Sequence, residues 1–150
     1  MIALAAALAL QACAPLEQVD AFGEVGFDTP VTAAMIGTAL RGRCNDPQAT
    51  CRLRDRTGVN YEVAHGSIVS KSIGGWGAHL PFGMNREHRL PDDALIAAGI
   101  DSAAIEIMIA SRLSNNRIKV AVCDRPLVLT IALNEAGRAR GVVLVSADQI

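Results

Sequence analysis

Residues 127–145 read LVLTIALNEAGRARGVVLV. The first seven residues and the run from Arg140 to Val145 are dominated by Leu, Val and Ile, of which the β-branched residues favour strands. Between these runs, Asn134-Glu135-Ala136-Gly137 has the composition of a short hairpin loop that ends at a glycine. The stretch therefore predicts two antiparallel strands joined by a tight loop.

Further strand patterns lie on the N-terminal side of this hairpin. Ile118–Cys123 reads as a strand, and the runs 51–55 and 59–63 alternate around Arg56-Thr57-Gly58, as expected of a second hairpin. Ile68–Ile73 follows as one more strand after the turn at 65–66. The sheet is therefore expected to contain about three strands in each half of the chain.

Helix signals precede each group of strands. Thr29-Pro30 is a cap followed by a first-turn proline and predicts a helix up to Gly42. Pro91-Asp92-Asp93 opens a short helix that Gly99 closes, and Asp101 can cap another through about Leu113. In that last segment Ile105, Ile107 and Ile109 also alternate as in a strand, but the cap and the length favour a helix.

These elements predict an α+β fold with an antiparallel sheet and helices on one face. The halves share an order of one helix and three strands. That order is compatible with an old duplication, but the low side-chain identity between the halves favours the usual construction of small α+β domains. With 150 residues, a single domain is expected.

Composition narrows the classes of partner. The formal net charge is −1, so no long-range attraction to nucleic acid is expected. The chain has only three Phe, one Trp and one Tyr, and none follows Phe82. Because nucleic-acid bases stack on exposed rings over a basic surface, a nucleic-acid partner is not expected.

The N-terminus has the pattern of an export signal. Met1–Leu10 is an unbroken apolar run, too short to span a bilayer as a helix, and Leu10-Gln11-Ala12-Cys13 follows directly. This ending resembles the lipobox of bacterial lipoprotein precursors. A buried N-terminal helix is the alternative interpretation.

The resemblance implies that residues 1–12 are a removed signal peptide and that Cys13 is lipidated. Residues 13–27 are then a tether, and 28–150 form the folded domain. Ala14 after the cysteine implies, by the same resemblance, the periplasmic face of the outer membrane. Acyl chains would supply the membrane attachment.

Three other cysteines remain. Cys44 and Cys51 flank a loop of turn-forming residues, and an exported protein meets an oxidising compartment. We expect a Cys44–Cys51 disulfide, with Cys123 a free and buried thiol. Pairing of Cys123 with either of the other two is the alternative. The spacing lacks a zinc-knuckle pattern, so no metal is expected.

Two sequence features suggest a partner-binding surface. Arg52, Arg54 and Arg56 are spaced to lie on one face of a strand, where they would meet anionic groups or simply form a solvated face. Trp76 lies among glycines, with Phe82 and Tyr61 near in sequence, which favours an aromatic contact site or a ring that plugs the core.

Evidence for catalysis is thin. His65, His79 and His88 match no metal-binding or nucleophile motif, so no catalytic residue and no cofactor is assigned. We expect a membrane-tethered, non-enzymatic envelope lipoprotein that binds an envelope protein or an anionic envelope component. The alternative is a small periplasmic enzyme that uses His and Glu side chains of the 74–93 loop.

Overall fold

The computed structural model describes residues 12–75, 79–84, 90–108 and 116–149. Seven strands account for most of its regular structure: β1 Cys51–Arg54, β2 Asn60–Ala64, β3 Ser67–Gly74, β4 Ile105–Met108, β5 Arg117–Ala121, β6 Leu127–Leu133 and β7 Ala139–Ser146. Two short helices, α1 Leu16–Val19 and α2 Pro91–Ala97, accompany single 3-10 turns at Ala33–Met35, Ser102–Ala104 and Ala147–Gln149.

All seven strands form one antiparallel sheet in the order β1-β2-β3-β7-β6-β5-β4. The first three strands make one meander and the last four make another. The two meanders meet where β3 pairs with β7. The protein is therefore mostly antiparallel sheet with few and short helices. Within the described ranges, no helix is long and apolar enough to cross a membrane.

The hairpin predictions are confirmed, whereas two helix predictions are wrong. Residues 29–42 hold only the 3-10 turn Ala33–Met35, and Gly37 there adopts φ +88°, which interrupts a helix. Asp101 does cap, accepting a hydrogen bond from Ala103 N, but it caps a 3-10 turn that leads directly into β4. The alternation of Ile105 and Ile107 thus marked a strand; residues 109–115 lie outside the described part.

The strands turn one face toward the main core. The core-facing side chains that are buried include Leu53, Tyr61, Val63, Ile73, Ile118, Val120, Leu129, Ile131, Val142 and Leu144. Alternate residues point to the opposite face, here called the second face, because successive side chains of a strand alternate. The second face carries small, charged and apolar side chains, of which Ser70, Val128, Thr130 and Val145 are buried: Arg52, Arg54, Ser70, Ser72, Arg117, Lys119, Val128, Thr130, Ala132, Val143 and Val145.

The segment 13–27 is part of the fold, which corrects its prediction as a tether. Val19, Phe22, Val25 and Phe27 are buried in the core cluster. Ala14 is buried too, and its backbone pairs with the chain at the end of β5. Its N–H donates to Ala121 O at 2.8 Å, and its carbonyl accepts from Cys123 N at 2.8 Å. Pro15, Gly23, Gly26 and the absence of sustained periodicity indicate a linker, but the apolar side chains of the segment pack into the core.

Lys71 fastens this segment to the middle of the sheet. Its side chain is fully buried, and the ammonium donates to Asp20 Oδ1 at 2.6 Å, Phe22 O at 2.6 Å and Val25 O at 2.8 Å. Three acceptors match the three N–H groups of an ammonium. The charge also lies 4.8 Å from the centre of the Phe22 ring. A buried cation satisfied in this way specifies where residues 20–25 must lie.

Candidate functional site

Asp55 organises the turn between β1 and β2. One carboxylate oxygen accepts from Thr57 N at 2.9 Å, Thr57 Oγ1 at 2.6 Å and Val59 N at 3.2 Å. The other accepts from Glu24 N at 2.8 Å and from the Tyr61 hydroxyl at 2.6 Å. The turn and the N-terminal segment are therefore joined through one side chain.

This arrangement stabilises the charged form of Asp55. Burial raises the pKa of the carboxyl, but its hydrogen bonds outweigh burial and hold the pKa below its usual value. Burial, and then the hydrogen bond to Asp55, raise the pKa of the Tyr61 phenol. The network therefore fixes a negative charge on Asp55 in the turn between β1 and β2.

Three arginines surround a cleft of about 300 Å³ beside this turn, together with Thr38, Ala39 and Asp55. Arg41 and Arg54 form an antiparallel bridge in which each backbone N–H donates to the other's carbonyl, at 2.9 and 2.8 Å. Residues paired in this way project their side chains to the same side of the sheet. Two like charges are thus placed next to each other.

The three guanidinium groups differ in their partners. Arg56 pairs with Glu24, with Nη2 3.1 Å from the carboxylate, and its own N–H donates to the same carboxylate. Arg41 and Arg54 take part in no ion pair within the described ranges. Adjacent like charges without counter-ions destabilise a cross-strand pair. An anion bound between them would relieve that cost.

The predicted arginine row is only partly realised. Arg52 and Arg54 share the second face of β1, and Arg52 lies 3.4 Å from Glu62 on β2. Arg56 follows the end of the strand, in the turn, and points toward Glu24 instead. The cation that joins Arg54 is Arg41, which only the pairing of residues 41 and 54 brings close.

The aromatic surface is not formed as predicted. Tyr61 is fully buried, so it cannot contact a partner. Phe82 is partly buried and packs against the core cluster, with φ +61° in a turn. Trp76 lies outside the described residues. Sequence proximity had grouped these rings, but alternation along β2 points Tyr61 into the core.

The cysteines form two disulfides. The predicted Cys44–Cys51 bridge is present, with Cα atoms 5.4 Å apart. The second bridge joins Cys13 to Cys123, with Cα atoms 5.0 Å apart. The expectation of a free Cys123 is therefore wrong. In this arrangement the Cys13 sulfur is bonded to Cys123, so the disulfide and the predicted thioether to a lipid are alternatives for this residue.

The residues proposed for the enzymatic alternative are mostly outside the described part. His79 is exposed, while Glu87 and His88 fall in the undescribed range 85–89. Among the described residues, no group of three or more His, Cys, Asp or Glu side chains is arranged to hold a metal ion.

Comparison with known proteins yields no relative: no family model, no curated protein and no solved structure matches the chain. The function must therefore be argued from the chemistry of the site.

Proposed function

We propose that this protein is an exported, non-enzymatic accessory domain of the bacterial cell envelope. It folds in an oxidising compartment and binds an anionic envelope component through the cleft formed by Arg41, Arg54 and Arg56. The apolar run at residues 1–10 and the two disulfides support the export part of the proposal, since disulfides persist outside the cytoplasm.

In this proposal the mature chain retains Cys13 as a cystine. The bond to Cys123 takes the place of a lipid anchor, and the buried segment 14–27 begins immediately after it. Both helices are taken to lie on the core face, since Val19 of α1 and Ala94 and Leu95 of α2 belong to the core cluster. Among the described residues, the arginine cleft is then open to a partner.

Cell fractionation combined with mass spectrometry tests the proposed location and the state of Cys13. Cys13→Ser and Cys123→Ser should leave the protein in the same fraction and lower its stability equally, because each breaks the same disulfide. The wild-type mass should show two disulfides and no acyl chain. If Cys13→Ser alone releases the protein from the membrane and the wild type carries lipid, the lipidated form is the native one.

The observation that carries the binding proposal is the backbone-paired Arg41 and Arg54 with no carboxylate partner among the described residues. Paired guanidinium groups bind phosphate oxygens through several charge-assisted hydrogen bonds. Phosphate-bearing glycolipid is the anionic envelope component that fits this chemistry. The nearby Asp55 does not compete for them, because its oxygens accept five hydrogen bonds from other groups.

Inorganic pyrophosphate is a defined probe for the cleft. Titration followed by NMR should shift backbone signals around residues 38–41 and 54–56 in a saturable way. Arg41→Gln/Arg54→Gln should weaken binding at least tenfold, because two charge-assisted hydrogen-bonding groups are lost. Arg138→Gln/Arg140→Gln removes the same charge just before and at the start of β7 and should leave binding nearly unchanged. Equal losses in both double variants would show non-specific charge attraction and refute the cleft.

A further inference from the structure

Glu24 is a carboxylate that the N-terminal segment carries to the edge of the arginine cleft. One of its carboxylate oxygens lies 3.1 Å from Arg56 Nη2, and the other accepts a hydrogen bond from the backbone N–H of Arg56 at 3.1 Å. Arg56 lines the cleft together with Arg41 and Arg54. One of the three guanidinium groups of the cleft is therefore already paired with an anion that belongs to the protein.

The backbone around Glu24 is held in place by buried groups. Its own N–H donates to Asp55 Oδ2 at 2.8 Å, and the N–H of Val25 donates to the Tyr61 hydroxyl at 3.1 Å. The Val25 carbonyl accepts from the buried Lys71 ammonium at 2.8 Å. The carboxylate can therefore leave Arg56 by rotation of the Glu24 side chain, while the segment that carries it stays on the sheet.

The ion pair itself is accessible to solvent. The side chain of Arg56 is 78% exposed and that of Glu24 is 29% exposed. Ion pairs in such positions are weak, because water competes for both charges. A phosphomonoester carries a charge of about −2 at neutral pH and three strong acceptor oxygens, whereas a phosphodiester carries a single charge, as a carboxylate does. Only the monoester is therefore a stronger partner for Arg56 than Glu24.

We propose that Glu24 makes the cleft selective for terminal phosphate groups over phosphodiesters, an inference that rests on the function proposed above. A phosphodiester is held by Arg41 and Arg54 alone, because its single charge does not displace Glu24. A phosphomonoester displaces the carboxylate and gains Arg56 as a third guanidinium partner. The envelope component that fits the cleft is thus one whose phosphate ends a chain.

NMR titrations of the disulfide-bonded protein with methyl phosphate and, separately, with dimethyl phosphate test this selectivity at neutral pH. The wild-type protein should bind the monoester at least about fivefold more tightly than the diester, because one additional charged contact outweighs the loss of a surface ion pair. Arg56→Gln should weaken binding of the monoester about fivefold and leave binding of the diester unchanged, since only the monoester uses this arginine.

Glu24→Gln removes the competing charge and keeps the size of the side chain. It should strengthen binding of the diester about fivefold, and this gain should vanish when Arg56→Gln is added. Glu62→Gln is the matched control, because Glu62 pairs in a similar way with Arg52, which is not among the described residues that line the cleft. It should leave binding of both phosphates nearly unchanged.

The outcomes separate the selectivity from the proposed function. If Arg56→Gln weakens the diester as much as the monoester, or if Glu24→Gln and Glu62→Gln change binding equally, the selectivity is overturned while the cleft remains the binding site. If neither phosphate produces saturable shifts at residues 38–41 and 54–56, the binding function proposed above fails, and the selectivity fails with it.

Discussion

Removing the Cys13–Cys123 bridge should be far more damaging than removing Cys44–Cys51. The two bridges close loops of very different length, with sequence separations of 110 and 7. In the chain-entropy relation, a loop of the first size is worth about 4.8 kcal/mol and one of the second about 2.5 kcal/mol. The difference arises because a long loop restricts the unfolded chain more than a short one.

The structure adds a reason for the long bridge to matter. Residues 14–27 contribute Ala14, Val19, Phe22, Val25 and Phe27 to the core, and Cys13 lies at the start of this segment. Without the bond, only packing, hydrogen bonds and ion pairs keep the segment against the sheet. The segment's apolar surface would then be released early in unfolding.

Two double variants provide the comparison, Cys13→Ser/Cys123→Ser and Cys44→Ser/Cys51→Ser, neither of which leaves a free thiol from the broken bond. Thermal and urea unfolding should show a larger loss for the first pair by about 2 kcal/mol, or about 6 °C in melting temperature at ~3 °C per kcal/mol. Equal losses, or a larger loss for the second pair, would refute the reasoning.

Three further predictions concern the polar core and its turns. Lys71→Met should cost about 3–5 kcal/mol in urea unfolding, because it leaves a partly buried carboxylate and two buried carbonyls without their cation; a loss below 1 kcal/mol would contradict this assignment. In the folded protein the pKa of Asp55 is lowered, so its charge stabilises the fold at neutral pH. This contribution is lost as the pH falls below about 4, the pKa of an aspartate in the unfolded chain. The stability gap between wild type and Asp55→Asn should therefore shrink from pH 7 toward pH 3, and a constant gap would show that ionisation is irrelevant. Gly23→Ala should destabilise the protein more than Gly37→Ala, because both glycines have positive φ but only the first substitution brings a methyl group against the Tyr61 hydroxyl. The difference between the melting temperatures of the two variants measures the effect of this clash.

Local patterns were sufficient for the hairpins. Alternation around Arg56-Thr57-Gly58 and around Asn134–Gly137 depends only on neighbouring residues, and the structure has strands on both sides of each turn. The Cys44–Cys51 bridge was predictable for the same reason, since the loop that it closes is short. Pro91 likewise opens α2, where its fixed φ and missing N–H suit a first helical turn.

What only the tertiary structure decided involves residues distant along the chain. The order of the strands joins β3 to β7 and so places Lys71 in the middle of the sheet. There its ammonium group donates to acceptors of the irregular segment 20–25. Contacts between separate segments also place Cys13 against Cys123 and Arg41 against Arg54. Periodicity indicates which side of its own strand a residue occupies. These partners are set instead by the packing of one segment on another, and the proposed arginine cleft depends on such a pair.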